Sequence, residues 1–211
     1  MCFSSSLTVS GNTHRHVTAQ ISIRPPAHYI EQGAAAAFAH MTLLISCVPI
    51  ETRNERGATP MKSLLIIYHS QSGTSAQLAR AAWRGAQRES DMSVSVQRAW
   101  DASTLHLSQA DGVLLVMAEN SGALSGGMKD FLDRTFYPAI ARELVLPYAL
   151  LISAGNDGRG AQRQAQRILS GYPFPAAAEP LILRGEWCPA HQEASAELGQ
   201  AFAAGLSMGI F

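Results

Sequence analysis

A short apolar segment that runs directly into a hydroxyl-rich loop constrains the fold of this 211-residue chain more than any other feature. Residues 64–68 read Leu-Leu-Ile-Ile-Tyr, which is typical of a buried strand. A loop and then a helix-forming segment at residues 76–88 follow. Strand, small polar loop and helix start, in this order, bring free backbone N–H groups and the positive end of a helix dipole together. The sequence therefore predicts a phosphate site, and a nucleotide-type ligand, at Ser70, Gln71, Ser72, Gly73, Thr74 and Ser75.

A tight turn with a helix N-cap is the alternative interpretation of this first loop, because Ser and Thr are favoured at N-caps. One cap needs only one hydroxyl group, whereas Ser70, Ser72, Thr74 and Ser75 supply four, so phosphate binding is favoured. No Lys or Arg lies between Tyr68 and Gln77. The loop is therefore expected to bind phosphate with neutral donors alone.

Residues 61–211 alternate strand and helix signals, which predicts a parallel sheet covered on both faces. Strands are expected at 63–68, 92–96, 112–118, 148–152 and 181–183, and helices at 74–88, 128–137, 162–170 and 192–206. The second strand alternates polar and apolar residues, and the fifth strand is short. Both features are typical of edge strands. The predicted fold is a doubly wound α/β domain with five parallel strands in the order 2-1-3-4-5. Ligands bind such sheets at the switch point between the first and third strands, where loops 70–75, 119–127 and 153–160 meet.

Residues 1–60 lack sustained periodicity, and we expect either a disordered extension or a gene start assigned too early, with the native chain beginning at Met61. The apolar stretch 34–50 begins too late for an ordinary signal peptide and is marginal in length for a membrane span. The chain has 16 basic and 16 acidic residues, which gives no electrostatic case for binding nucleic acid or an acidic membrane. The three cysteines show no metal-ligand spacing, so we expect no metal site and a reducing, cytoplasmic setting.

The three loops, at these strand ends, resemble those of the flavodoxin-like FMN-binding family. The first, Ser70-Gln-Ser-Gly-Thr-Ser75, is similar to the family's phosphate loop. The second, Ala118-Glu-Asn-Ser-Gly-Ala-Leu-Ser-Gly-Gly-Met-Lys-Asp-Phe-Leu-Asp-Arg134, is similar to a loop that passes along the flavin ring. Glu119 and Gly122 agree with the variant found in NAD(P)H-dependent FMN and quinone reductases of this fold. The third, Ser153-Ala-Gly-Asn-Asp-Gly158, lies where a second ring-contacting loop is expected.

The resemblance implies that the first loop binds the phosphate of FMN and that the other two contact its ring. The residues implied in ring contact are Ala118, Glu119, Asn120, Ser121 and Gly122 in the second loop and Ser153, Ala154, Gly155, Asn156, Asp157 and Gly158 in the third. No side chain is expected to act as a catalytic acid or base, because the cofactor carries the chemistry. His69 and Trp100 lie at strand ends near these loops, and a role for either is left open.

The implied activity is an FMN-dependent oxidoreductase that takes NAD(P)H as co-substrate. The partner would be a small-molecule electron acceptor such as a quinone or a flavin. A flavodoxin-type one-electron shuttle and a non-catalytic FMN-binding module are the alternatives, and the balanced charge weakens the shuttle because such shuttles are typically acidic. Reductases of this fold commonly assemble as homodimers or homotetramers, and the resemblance implies the same here.

Overall fold

The computed structural model of this protein describes residues 5–8, 18–21 and 61–211. In the N-terminal part, β1 (Ser5–Thr8) pairs antiparallel with β2 (Thr18–Ile21). The rest of the extension predicted for residues 1–60 lies outside the described residues.

A parallel sheet forms the centre of residues 61–211. Its order is β4–β3–β5–β7–β8, which is 2-1-3-4-5 when the parallel strands are counted along the chain, so the predicted flavodoxin-like fold is confirmed. A short strand, β6, pairs antiparallel with the end of β5. The strands are β3 (Lys62–Tyr68), β4 (Met92–Arg98), β5 (Gly112–Asn120), β6 (Ala123–Leu124), β7 (Tyr148–Ala154) and β8 (Leu181–Arg184).

Helices cover both faces of this sheet. They are α1 (Thr74–Ala86), α2 (Thr104–Ser108), α3 (Gly126–Ala141), α4 (Arg159–Leu169) and α5 (Pro189–Ser207). Side chains from α1 and α5 join one hydrophobic cluster, and side chains from α2, α3 and α4 join the other. Among the helices of the described residues, none combines the length and apolar character needed to cross a membrane.

The alternation of side chains along each strand explains why the central strands are apolar throughout. Leu64 and Ile66 of β3 belong to the cluster beneath α1 and α5, whereas Leu65 and Ile67 belong to the opposite cluster. Successive side chains of a strand point to opposite faces, so a strand covered on both sides must be apolar at every position. This packing fixes the register of the sheet and brings the carboxyl ends of β3, β5 and β7 to one edge.

The structure differs from the sequence-based expectation at the end of α3, at the end of β5 and in one additional helix. Helix α3 continues past Pro138 to Ala141, where an end at Tyr137 was expected. Pro138 lacks the N–H group that would donate to the Arg134 carbonyl, and the helix continues for only three residues beyond it. Helix α2 was not predicted, and β5 extends to Asn120 because it pairs with β6.

Candidate functional site

The first loop leads from β3 into α1 and leaves the beginning of that helix open. Gly73 is the N-cap residue, with φ of 99°, and no side chain caps the helix. Its N–H donates to the Ser70 hydroxyl at 3.0 Å, which closes the turn. The first helical hydrogen bond runs from the Gln77 N–H to the Gly73 carbonyl. Within residues 61–211, the three N–H groups before Gln77 have no protein acceptor, so this helix end can bind an anion.

The four hydroxyl groups of the first loop divide between structural and available roles. The Ser75 side chain is buried, and its hydroxyl oxygen lies 2.9 Å from that of Ser153 at the end of β7. Ser70 closes the turn, as described above. Ser72 is exposed and Thr74 is partly exposed. Ser72 and Thr74 are therefore the hydroxyl donors best placed for a ligand, and Ser75 instead ties the first loop to the third.

The second loop is a β-hairpin rather than an irregular loop. Glu119 and Asn120 of β5 pair with Leu124 and Ala123 of β6. The two turn residues, Ser121 and Gly122, have φ of 51° and 73°. Positive φ at both central positions is the geometry of a type I′ turn, which matches the twist of a hairpin. The Asn120 side-chain amide donates to the Gln71 side-chain oxygen at 3.0 Å, so the hairpin contacts the first loop.

The Glu119 carboxylate binds the beginning of α4. It accepts hydrogen bonds from the N–H groups of Gly158 at 3.1 Å and Gly160 at 3.0 Å, with a longer contact of 3.4 Å from Ala161. A carboxylate at a helix N-terminus satisfies open N–H groups and interacts favourably with the helix dipole. Glu119, which the sequence assigned to ring contact, thus joins the second loop to the third. The N-terminus of α4 is occupied by this carboxylate, whereas the N-terminus of α1 is open.

The second and third loops approach each other so closely that a glycine is required. A Cβ atom on Gly160 would lie 1.8 Å from the Gly122 carbonyl oxygen, far inside van der Waals contact. In the third loop, Ser153 and Ala154 are buried at the end of β7, and Gly155, Asn156 and Asp157 are exposed. The Asp157 carboxylate accepts the Arg159 N–H at 3.0 Å. The three predicted loops therefore lie side by side, and the exposed third-loop residues are free to contact a ligand.

A cavity of about 290 Å³ lies on the β4 side of the first loop, and we name it the loop cavity. All of its lining residues fall between Tyr68 and Trp100 in the sequence, so the second and third loops do not line it. Two of them are arginines, which the sequence reasoning missed because it considered only the residues before Gln77. The lining residues are Tyr68, His69, Ser70, Gln71, Gly73, Ala76, Arg80, Arg98 and Trp100.

Strand register brings Arg98 to the loop, and helix α1 brings Arg80. Tyr68 and Arg98 are paired positions of β3 and β4, and the Arg98 Nε donates to the Tyr68 hydroxyl at 3.3 Å. Arg80 lies on α1, which crosses the same strands. The register of neighbouring strands is not written in a local motif, so the only sequence signal was the position of Arg98 two residues after a predicted strand.

His69 and Trp100 form one wall of the loop cavity. The His69 ring is buried and meets the Trp100 ring edge-on, with 5.6 Å between centroids. Burial lowers the pKa of His69 below its ordinary value. Its Nδ1 has no hydrogen-bond partner within the described part of the chain. Trp100 is exposed. Burial thus favours the neutral form of His69, which packs at the cavity wall beside the exposed Trp100.

A search of the described residues finds no group of three or more His, Cys, Asp or Glu side chains that could hold a metal ion. The structure places Cys188 at the N-cap of α5.

One family model matches part of this chain. Residues 87–179 match the model for the family described as NADPH-dependent FMN reductases. The matched segment contains the second and third loops and does not include the first. No curated protein matches the chain by sequence.

The solved structures that resemble this chain share its fold. A flavodoxin from the domain Archaea is 17% identical, with a TM-score of 0.62, over 69% of this chain and 99% of its own. A WrbA-like flavodoxin from Agrobacterium tumefaciens is 15% identical, with a TM-score of 0.54, over 70% of this chain and 98% of its own. The rubredoxin oxygen:oxidoreductase of Desulfovibrio gigas is 17% identical, with a TM-score of 0.58, over 72% of this chain and 38% of its own. Together with the family match, these structures confirm the resemblance to flavodoxin-like FMN-binding proteins.

Proposed function

We propose that this protein binds FMN at the edge formed by the three loops and is an NAD(P)H-dependent oxidoreductase that reduces a quinone, a flavin or another small acceptor. The observation that carries the proposal is the contrast between two helix ends at this edge. The start of α4 is occupied by the Glu119 carboxylate, whereas the start of α1, beside Ser72 and Thr74, has free N–H groups and hydroxyls. An open helix start of this kind fits a phosphate.

The phosphate of FMN would be held by neutral donors. The N–H groups at the start of α1 and the hydroxyls of Ser72 and Thr74 are free to donate. Ser70 accepts the Gly73 N–H and keeps its own O–H group to donate, whereas Ser75 is buried against Ser153. Several such donors acting on one dianion give strong charge-assisted hydrogen bonds. The chain therefore supplies a phosphate anchor without a cation inside the loop itself.

The ring of FMN would lie between the hairpin turn at Ser121–Gly122 and the exposed third-loop residues Gly155 to Asp157. The residues beneath it are held firmly, since Glu119 joins the hairpin to α4 and Asn120 joins it to Gln71. FMN, when bound, supplies the hydride and electron transfer chemistry. The chain positions the cofactor and leaves the turn residues exposed, so that nicotinamide and acceptor could approach the ring in turn. No side chain is assigned an acid or base role.

A one-electron shuttle is the second candidate, and the similarity in fold to the archaeal flavodoxin favours it. The family match to NADPH-dependent FMN reductases favours the reductase. As part of the reductase proposal, we propose a cytoplasmic location, a small-molecule acceptor and assembly as a homodimer or homotetramer. Nucleic acid and membrane are not proposed as partners.

Anaerobic titration of the full chain separates these functions. FMN-loaded protein is mixed with NADPH or NADH in the absence of air, and the visible absorbance of the oxidised flavin is followed. A reductase loses this absorbance without any partner protein and regains it when a quinone is added. A shuttle keeps its absorbance until a separate reductase is supplied. Protein that fails to bind FMN would exclude both functions.

A further inference from the structure

A groove of about 530 Å³ opens to solvent between α3 and α4. Its walls are the second half of α3 and the end of α4, on the face of the sheet opposite α1 and α5. We name it the α3–α4 groove. The residues that line it are Asp133, Phe136, Tyr137, Arg167, Ile168, Ser170 and Gly171.

An aromatic cluster that continues into the core holds the α3–α4 groove in shape. The Phe136 ring meets the rings of Tyr137 and Tyr172 edge-on, with 5.2 and 5.1 Å between centroids. Gly171 packs closely on Phe136, since a Cβ atom there would lie 2.7 Å from that ring. Tyr172 is buried, and its hydroxyl donates to the Leu132 carbonyl. The groove is therefore a preformed surface rather than a gap between mobile side chains.

Apolar side chains beside the groove lie in solvent. Tyr137 is 77% exposed, and Ile140 and Val145, which follow it in the chain, are exposed as well. Tyr137 and Ile140 are three residues apart, so they lie on one face of α3, and this face is separate from the one that packs in the core. Exposed apolar surface that is gathered in one place marks an interaction site. Tyrosine and arginine, which both line this groove, are among the residues that contribute most to protein interfaces.

Two residues that line the groove carry charges of opposite sign. Asp133 lies on α3 and Arg167 on α4, and both are exposed. Within residues 61–211 they do not pair with each other, because Asp133 contacts Lys129 and Arg167 has no carboxylate partner. A two-fold axis brings residue i onto residue j and residue j onto residue i. An apolar surface with an anion on one wall and a cation on the other is therefore complementary to a copy of itself.

We propose that the α3–α4 groove is a two-fold interface between two copies of this chain, in which Tyr137 packs near the axis and each Asp133 pairs with the partner's Arg167. The inference rests on the proposed function only for the existence of a homo-oligomer, and it assigns the surface and the contacts. The groove lies toward the carboxyl ends of α3 and α4, whereas the second and third loops lead into their N-termini. Assembly through this groove thus leaves the edge proposed for FMN open.

Sedimentation velocity of the full chain, without flavin or nucleotide, measures the assembly. Tyr137→Arg is compared with Leu105→Arg, a matched control that places the same charge at an exposed apolar residue of α2 outside the groove. We expect the wild type and the control to have the same mass, at least that of two chains, and Tyr137→Arg to have half of it. The association of Tyr137→Arg should be about a hundredfold weaker, because a two-fold interface loses the tyrosine twice.

Charge reversal tests the pairing of Asp133 with Arg167. Asp133→Arg alone and Arg167→Asp alone place only like charges opposite each other, so each variant by itself should associate at least about tenfold more weakly than the wild type. An equimolar mixture of the two variants should associate again, because every facing pair is then an arginine and an aspartate. The double variant Asp133→Arg/Arg167→Asp should associate like the wild type for the same reason.

Three results would overturn the proposal. A monomeric wild type would leave the groove to a different kind of partner. An unchanged mass of Tyr137→Arg would place the interface elsewhere, and a mixture of the two charge variants that stays monomeric would refute the pairing. These measurements contain no flavin or nucleotide, so they are independent of FMN reduction. Failure of the anaerobic titration would refute the reductase and leave this interface in place.

Discussion

Glu119→Gln tests whether the second and third loops are held together by one carboxylate. The Glu119 oxygens accept two short hydrogen bonds from the first N–H groups of α4. Glutamine has nearly the same shape but only one accepting oxygen and no charge. Hydrogen bonds to charged groups contribute about 1.5–3 kcal/mol each, and a charge at a helix end about 0.3–1 kcal/mol. Glutamine loses one of the two charged hydrogen bonds and the interaction with the helix end. Because Glu119 is partly exposed, we expect the combined loss of unfolding free energy to lie near the lower end of these contributions, about 2 kcal/mol.

Thermal unfolding measures this loss. For a chain of this size each kcal/mol lowers Tm by about 2–4 °C, so Glu119→Gln should unfold roughly 4–8 °C below the wild type. Glu186→Gln, which removes an exposed carboxylate outside the three loops, is the matched control and should leave Tm unchanged. FMN affinity should fall in Glu119→Gln alone, because the third loop loses its link to the hairpin. If the two variants unfold together and bind FMN equally, the carboxylate does not organise the loops.

Three further predictions concern buried polar groups. In urea unfolding, Ser153→Ala should cost about 1–3 kcal/mol because it leaves the buried Ser75 hydroxyl without its partner, and Ser75→Ala should cost less because the Ser153 hydroxyl keeps its 3.5 Å contact with the Met117 carbonyl. The double variant should cost less than the sum of the two, and additive losses would refute the pairing. Burial lowers the pKa of His69, so the free energy of unfolding should fall as pH drops below 6.5, and His69→Gln should reduce that slope; an unchanged slope would contradict it. Burial raises the pKa of Tyr172 from 10.0 to about 12, so stability should be lost as pH rises from 10 through 12, a loss that Tyr172→Phe should remove; alkaline unfolding unaffected by the substitution would oppose this.

The architecture could be predicted from the sequence because burial on both faces leaves a plain pattern. Strands β5 and β7 are continuous apolar runs, and only central strands of a parallel sheet require this. The alternating β4 and the short β8 fall at the edges, as expected. Strand order and loop positions follow from this pattern together with the rule that ligands bind at the carboxyl edge.

Contacts between distant residues could not be predicted in the same way. The lining of the loop cavity depends on α1 packing beside β3 and β4, which places Arg80 and Arg98 in one cavity although 17 residues separate them in the sequence. Glu119 was predicted to contact the flavin ring, and its observed partners lie at the start of α4, which no local pattern of the sequence reveals. The hairpin at Ser121–Gly122 was missed because its turn lacks the Asn-Gly or Asp-Gly signal.

Binding of FMN compared with riboflavin tests the central claim most directly, because the two ligands differ only by the phosphate. Quenching of flavin fluorescence by the full chain gives both dissociation constants. We expect FMN to bind about a hundredfold more tightly, which corresponds to about 3 kcal/mol from charge-assisted hydrogen bonds. Ser72→Ala/Thr74→Ala should remove most of that difference. Equal affinity of the wild type for the two flavins would contradict a phosphate site at the start of α1.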